Sequence, residues 1–286
     1  MNPTWENTSR VDTEIASTAF YERLPPNLLI RYSVAGRMKS LLKRMSKRAH
    51  VVTPVNAPFP SLRGADISAA FAGNRHGGDF YDSFRVNADR ILFGLLDVAG
   101  PRGSNMNVFS TAKRVFRDAG EQLLESSGSN EADALIELCL RLNRAILEAA
   151  GRAHSCPAFV GCYNEDLGTV CYFNTGHTPG LVRHSTDISV LGATGLPLGL
   201  FSHTTTDARI VALETGAALV LVSKGVVEVS RKGEEFGLNR VEEVLQAHRA
   251  VGAQDLCSSV LKAAQHFSAS RVHDDLTALA LIRTAN

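Results

Sequence analysis

Residues 90–98 read RILFGLLDV, a nearly unbroken apolar run that ends on a carboxylate and a valine. Side chains along a strand point alternately to opposite faces, so an apolar residue at almost every position suits a strand covered on both sides. This chain must therefore place apolar layers above and below at least one sheet. Asp97, near the end of the run, would then point into a cleft at the rim of that sheet.

The rest of the chain supplies those layers. Two helical stretches are expected at about 104–126 and 131–150, separated by the turn signal SSGSN. Strand-like segments follow between 159 and 222: FVGCYNE, TVCYFNT, GLVRH, ISVLG, RIVALE and ALVLVS. A hairpin turn at 166–168 would, with a two-residue loop, set Cys162 opposite Cys171. Two more helices are expected near 238–249 and 253–269, and a closing strand at 276–284. Strands in runs and helices in pairs indicate an α+β chain with antiparallel sheets covered by helices.

With 286 residues, the chain accommodates one large domain, 57–286, behind an N-terminal extension, 1–56. In the extension Pro25 and Pro26 interrupt any early helix. Met38, Leu41, Leu42 and Met45 recur at helical spacing within the basic stretch 37–48. That stretch reads either as a solvated amphipathic helix packed on a protein surface or as a contact with an anionic membrane surface or a partner. The Pro-rich segment 52–64 reads as a linker.

A formal net charge of +1 gives no basic field for nucleic acid, which is not expected as a partner. The five cysteines form no C-x-x-C pair, so neither a zinc knuckle nor a redox dithiol is signalled. No apolar run reaches 18 residues and the polar N-terminus has no secretory pattern. A cytoplasmic protein with reduced thiols is the expectation.

The chemical signal lies in carboxylates at strand ends. Asp79 and Asp82 follow a Gly-Gly pair, Asp97 precedes a glycine-rich turn, and Asp274 and Asp275 stand just before the last strand. Hard divalent cations prefer such oxygens, and a hydrolase that activates water with them needs carboxylates converging from distant segments.

Six segments in order, GGDFYD (77–82), DVAG (97–100), NTGHTPGLV (174–182), GLPLGL (195–200), LVLVSKGVVEV (219–229) and DDLTALAL (274–281), resemble the motifs of PPM-type protein serine/threonine phosphatases. The branch is that of stage II sporulation protein E and RsbU. The resemblance implies the PPM αββα sandwich, two central antiparallel sheets flanked by helices. It implies manganese or magnesium as cofactor, with Asp79, Asp97, Asp274 and the Val98 carbonyl as metal ligands. Asp82 and Asp275 would support them, and His177 would be structural.

Two positions depart from the pattern. Lys224 stands where the family has a fourth metal-binding aspartate, and Pro101 and Arg102 replace a His-Gly pair. An ammonium cannot ligate a metal and repels one nearby, so fewer than two ions are expected. Two readings of Lys224 stay open. In one it replaces an ion and, with Arg102, binds the substrate phosphate. In the other it makes salt bridges to Asp97 and Asp274 in a dead site. The function implied is dephosphorylation of a small phosphorylated regulatory protein of the anti-sigma-factor-antagonist kind. The alternative is a pseudophosphatase that binds a phosphoprotein or signalling partner without turnover.

Overall fold

The structure, a computed structural model, describes residues 59–73, 78–98, 105–247, 252–268 and 274–285. The basic stretch 37–48 and residues Pro101 and Arg102 lie outside them.

Twelve strands and five helices are described. In chain order they are β1 (Ala65–Ala72), β2 (Asp79–Arg85), β3 (Arg90–Asp97), α1 (Met106–Leu124), α2 (Glu131–Ala150), β4 (Ala158–Asn164), β5 (Thr169–Thr175), β6 (Gly180–Arg183), β7 (Ile188–Leu191), β8 (Arg209–Ala212) and β9 (Ala218–Val222). There follow α3 (Lys224–Val227), β10 (Ser230–Arg231), β11 (Glu234–Glu235), α4 (Gly237–Ala247), α5 (Ala253–Phe267) and β12 (Leu276–Arg283). One antiparallel sheet runs β1-β12-β9-β6-β7, the other β2-β3-β4-β5-β8, and β10-β11 is a small separate hairpin.

Alternation along the strands builds three apolar layers. On β3, Leu92 and Leu96 face α1 and α2, while Ile91, Phe93 and Leu95 face the other sheet. Leu219, Leu221, Leu279 and Leu281 of β9 and β12 meet them in the middle layer. The opposite faces of β9 and β12, with Val220, Val222, Ala278 and Ala280, pack on α4 and α5 through Leu245, Leu256 and Val260. The expected αββα sandwich is the observed one, and β3 is buried on both faces because each sheet side has its own cover.

The helices end for local reasons. The Asn130 side chain caps α2 by accepting from the Ala132 and Asp133 amides, and Gly151 stops it at φ 64°. In α1, Phe116 lies against Gly94 of β3, where a β-carbon would come 3.0 Å from the ring. Cys162 does face Cys171 across β4 and β5. The connecting loop is longer than two residues, because the Asn164 side chain accepts from Asp166 and Leu167 and organises a four-residue turn. Both thiols are buried and free.

The linker expectation for 52–64 needs correction over its described part, 59–64. Phe59 and Leu62 pack against the middle layer, and the Phe59 ring stacks on Tyr81 at 6.4 Å. The Arg63 amide donates to the buried Glu165 carboxylate at 2.7 Å, and its guanidinium reaches Glu165, Asp89 and Asp166. This segment is docked, not loose. Among the described residues, no helix is long and apolar enough to cross a membrane.

Candidate active site

The alternation that builds the middle layer also aims the polar side chains. Asp79 shares a face of β2 with Tyr81, and Asp97 continues the face of Ile91, Phe93 and Leu95 on β3. The two aspartates are cross-strand partners in register. Ser223 extends the face of Leu219 and Leu221 beyond β9, while Thr277 lies on the Leu279 face of β12 and Asp275 just before that strand. One end of the sandwich thus collects Asp79, Asp97, Ser223, Asp275 and Thr277 between the sheets.

These groups hold one another. The Thr277 hydroxyl donates to Asp79 Oδ2 at 2.6 Å. The Ser223 amide donates to the Thr277 carbonyl, and the Thr277 amide to Ser223 Oγ. Burial pushes the Asp79 carboxyl up to about 7, against the hydrogen bonds of Thr277 and Ser223 and helped by the charges of Asp97 and Asp275. Burial also raises Asp97, and the charge of Asp274 adds to it. Lys224 pulls Asp97 the other way, and Glu228 raises it again. The charges of Asp274, Lys224 and Glu228 therefore all reach Asp97.

Glycines allow the close packing. A β-carbon on Gly225 would fall 2.0 Å from the Asp275 carbonyl oxygen. Gly73 and Gly78 leave room for the Asp275 carboxylate, which is almost wholly buried. The exposed Asp274 accepts the Asp275 amide at 2.8 Å through Oδ1. The Val98 carbonyl accepts from Asn105 Nδ2 at 3.3 Å and keeps a second lone pair.

Two expectations change. Asp82 does not join this group. It sits an odd number of positions from Asp79, so it faces α1, where Arg117 binds both its oxygens at 2.6 Å. It fastens a helix to β2. Lys224 is not bridged to Asp97 or Asp274. Among the described residues its ion pair is with Glu228, at 3.3 Å, and its side chain is 61% exposed. Ser223 precedes the single turn α3, and Glu228, four residues on from Lys224, stands beside it. Glu228 is the residue that the motif reading passed over, although its spacing from Lys224 in SKGVVE is legible.

Asn174, His177 and the 195–200 segment are scaffold. The Asn174 carboxamide accepts the His177 amide, and its carbonyl accepts the amides of Thr194 and Gly195. Gly176 lies against Pro197, which docks the two motifs on each other. His177 is buried, with Nδ1 3.0 Å from the Thr178 carbonyl.

The oxygen-only donors Asp97 and Asp274, charged alike and close enough to raise one of them, suit a hard divalent ion. Among the described residues, no group of three or more His, Cys, Asp or Glu side chains is drawn together as metal ligands.

The αββα sandwich of two antiparallel sheets is the fold of the solved PP2C phosphatase domain of SpoIIE from Bacillus subtilis, which matches with a TM-score of 0.65 at 17% identity, covering 82% of this chain and 64% of that one. Within that class the chain belongs to the Stage II sporulation protein E (SpoIIE) family, which residues 87–284 match. It is similar to Protein IcfG of Synechocystis, 25% identical over 246 residues that cover 79% of this chain and 39% of IcfG. It is similar also to the phosphoserine phosphatase RsbU of Bacillus subtilis, 24% identical over 234 residues, or 81% of this chain and 67% of RsbU. The solved RsbU and RsbW domains of Rv1364c from Mycobacterium tuberculosis match with a TM-score of 0.64 at 25% identity, covering 80% of this chain and 64% of that one. The chain thus spans between two-fifths and two-thirds of these relatives. Other structures of this fold are complexes with magnesium or manganese.

Proposed function

We propose that this chain is a metal-dependent protein serine/threonine phosphatase acting on a small phosphorylated regulatory protein in bacterial signalling. Its relative RsbU is named a phosphoserine phosphatase, which supports the reaction class. The observation that carries the reading is the pairing of Asp79 with Asp97 across β2 and β3, at the end of the sandwich that also holds Ser223, Thr277 and Asp275. Asp97 and Asp274, with the Val98 carbonyl beside them, would hold one magnesium or manganese ion. Such an ion supplies an activated water and Lewis-acid stabilisation of phosphoryl oxygens.

The chain's own groups do the rest. Thr277 and Ser223 keep Asp79 oriented, and Asp275 is locked behind it by its burial between glycines. Lys224 is exposed and tied to Glu228 by a pair that is weak in water. It can exchange that carboxylate for a phosphate dianion, and Arg102 would add a planar donor fork. With Lys224 balanced by Glu228, one divalent ion suffices to balance Asp97 and Asp274.

The lack of a three-carboxylate group among the described residues favours a second reading, a phosphoprotein-binding module without turnover. One titration separates the two. Manganese is added to the whole chain with a phosphoserine peptide, and phosphate release and peptide binding are followed together. Metal-dependent release with one bound ion supports the phosphatase. Peptide binding with no release at any manganese concentration supports the binding module.

A further inference from the structure

We propose that a cavity at the far pole of the sandwich binds a small zwitterion, a molecule of α-amino-acid type that carries a carboxylate beside an ammonium. The site uses none of the residues assigned to the phosphatase reading and does not depend on it. Strand β12 follows directly on Asp275 and ends on Arg283, so about 26 Å of extended chain separates the two poles.

The cavity has a volume of about 480 Å³ and is lined by Arg63, Glu165, Asp166, Thr215, Arg283 and Thr284. That volume suits a small molecule. Arg283 continues the face of Leu279 and Leu281 on β12, so its half-buried side chain points between the sheets. Its guanidinium lies against Gly168, where a β-carbon would fall 2.0 Å from Nη1. Nη1 donates to the Leu213 carbonyl, the one hydrogen-bond partner of Arg283 among the described residues. A guanidinium has several further N–H donors, and a charge partly withdrawn from water calls for a counter-charge. Tyr163, in the middle layer, is fully buried, and its hydroxyl meets no hydrogen-bond partner among the described residues. The charges that reach this hydroxyl are those of Arg283 and Glu165, both of which line the cavity. An open guanidinium and an unmatched hydroxyl are the donors that a carboxylate takes. The facing wall is acidic but largely satisfied. Glu165 is held by Arg85 and Arg63. Asp166 is 60% exposed and accepts from Arg63 through Oδ1, which leaves Oδ2 for an incoming ammonium. Arg63, Arg85 and Arg283 balance Asp89, Glu165 and Asp166 in formal charge, so this pole favours a ligand that is neutral overall and carries both charges.

Calorimetry on the whole chain tests the proposal, with the common α-amino acids added one at a time and acetate and methylamine as single-charge controls. One amino acid, or a few of similar side chain, should bind saturably at one per chain. Acetate and methylamine should each bind at least about tenfold more weakly, since each forgoes one charged contact. Asp166→Asn removes the partner of the ammonium at an exposed position, and should weaken binding about tenfold with little change in melting temperature. Arg283→Gln should weaken binding at least as much, and Tyr163→Phe less. If Arg283→Gln melts too low to be titrated, Asp166→Asn decides. Absence of saturable binding by any amino acid overturns the proposal. Binding that Asp166→Asn leaves unchanged also overturns it, because the ligand then sits elsewhere. Acetate binding as tightly as the best amino acid overturns it too, since the pole would then be a plain anion site.

Discussion

At the scale of single residues, the most consequential departure from the family pattern is Lys224. It is a cation placed where its charge reaches Asp97. Replacing Lys224→Asp removes that charge and adds a carboxylate beside Asp97 and Asp274. Calorimetry is expected to count one manganese ion for the wild type and two for the variant, with faster turnover of a phosphopeptide by the variant. A wild type that already binds two ions and outpaces the variant would make Lys224 a working catalytic group. His177 makes a different kind of prediction. Burial pulls its imidazole down from 6.5 to about 4 in the folded state, with the Thr178 carbonyl opposing weakly. A group with a depressed folded value stabilises the fold fully above its unfolded value and loses that contribution as pH falls. The loss should therefore run from about pH 6.5 down to about pH 4 and amount to roughly 3 kcal/mol. Urea midpoints at pH 7 and pH 5 for wild type and His177→Gln check this. The variant should show a shallower decline, and parallel curves would refute the assignment.

At the scale of elements, the Asp82–Arg117 pair shows how one carboxylate in a metal-like motif can serve packing instead. Asp82 is nearly buried, Arg117 is about half exposed, and the guanidinium also lies 5.0 Å from the Phe84 ring. Asp82→Asn keeps the shape and weakens two charge-assisted bonds. It should cost about 1 kcal/mol of stability and leave manganese affinity unchanged. A loss of metal binding at unaltered stability would return Asp82 to the site. The strand period already carried this outcome, since Asp79 and Asp82 cannot share a face of one strand. Much else was legible in the same way. The apolar run 90–98 announced a doubly covered strand, the hairpin turn expected at 166–168 set Cys162 opposite Cys171 although its loop is longer than two residues, and the carboxylates before and after strands marked the functional end. The Lys224–Glu228 pair was harder to see, because it depends on a single helical turn inserted between β9 and β10. Neither propensity nor apolar period marks a turn so short. The docking of Phe59 and Leu62 was not legible either. A Pro-rich stretch carries no apolar period, and its partners lie on strands distant in sequence.

At the scale of the whole molecule, the question is where the domain begins. The composition change placed the boundary at residue 57, and the described structure supplies a reason to test it there and no later. Phe59 and Leu62 cover part of the middle layer between the sheets. Arg63 brings an amide and a guanidinium to Glu165, whose side chain is 1% exposed. Glu165 would retain Arg85 as its partner, at 2.8 Å, if Arg63 were removed. It would still lose the amide and one cation, and its carboxyl, now held below its usual range by Arg85 and Arg63, would be less favourably charged. Two truncations separate these contributions. A chain beginning at Ala57 keeps Phe59, Leu62 and Arg63, and should unfold cooperatively in urea with the midpoint of the full chain. A chain beginning at Gly64 loses two apolar contacts and the Arg63 pairings, and should be less stable by about 3 kcal/mol. Arg63→Ala in the Ala57 truncation isolates the ionic part, expected to be the smaller share because Arg63 itself is largely exposed. Failure of the Ala57 truncation to fold would show that residues before 57 belong to the core. An Ala57 and a Gly64 truncation of equal stability would show that the docked segment adds nothing to the sandwich.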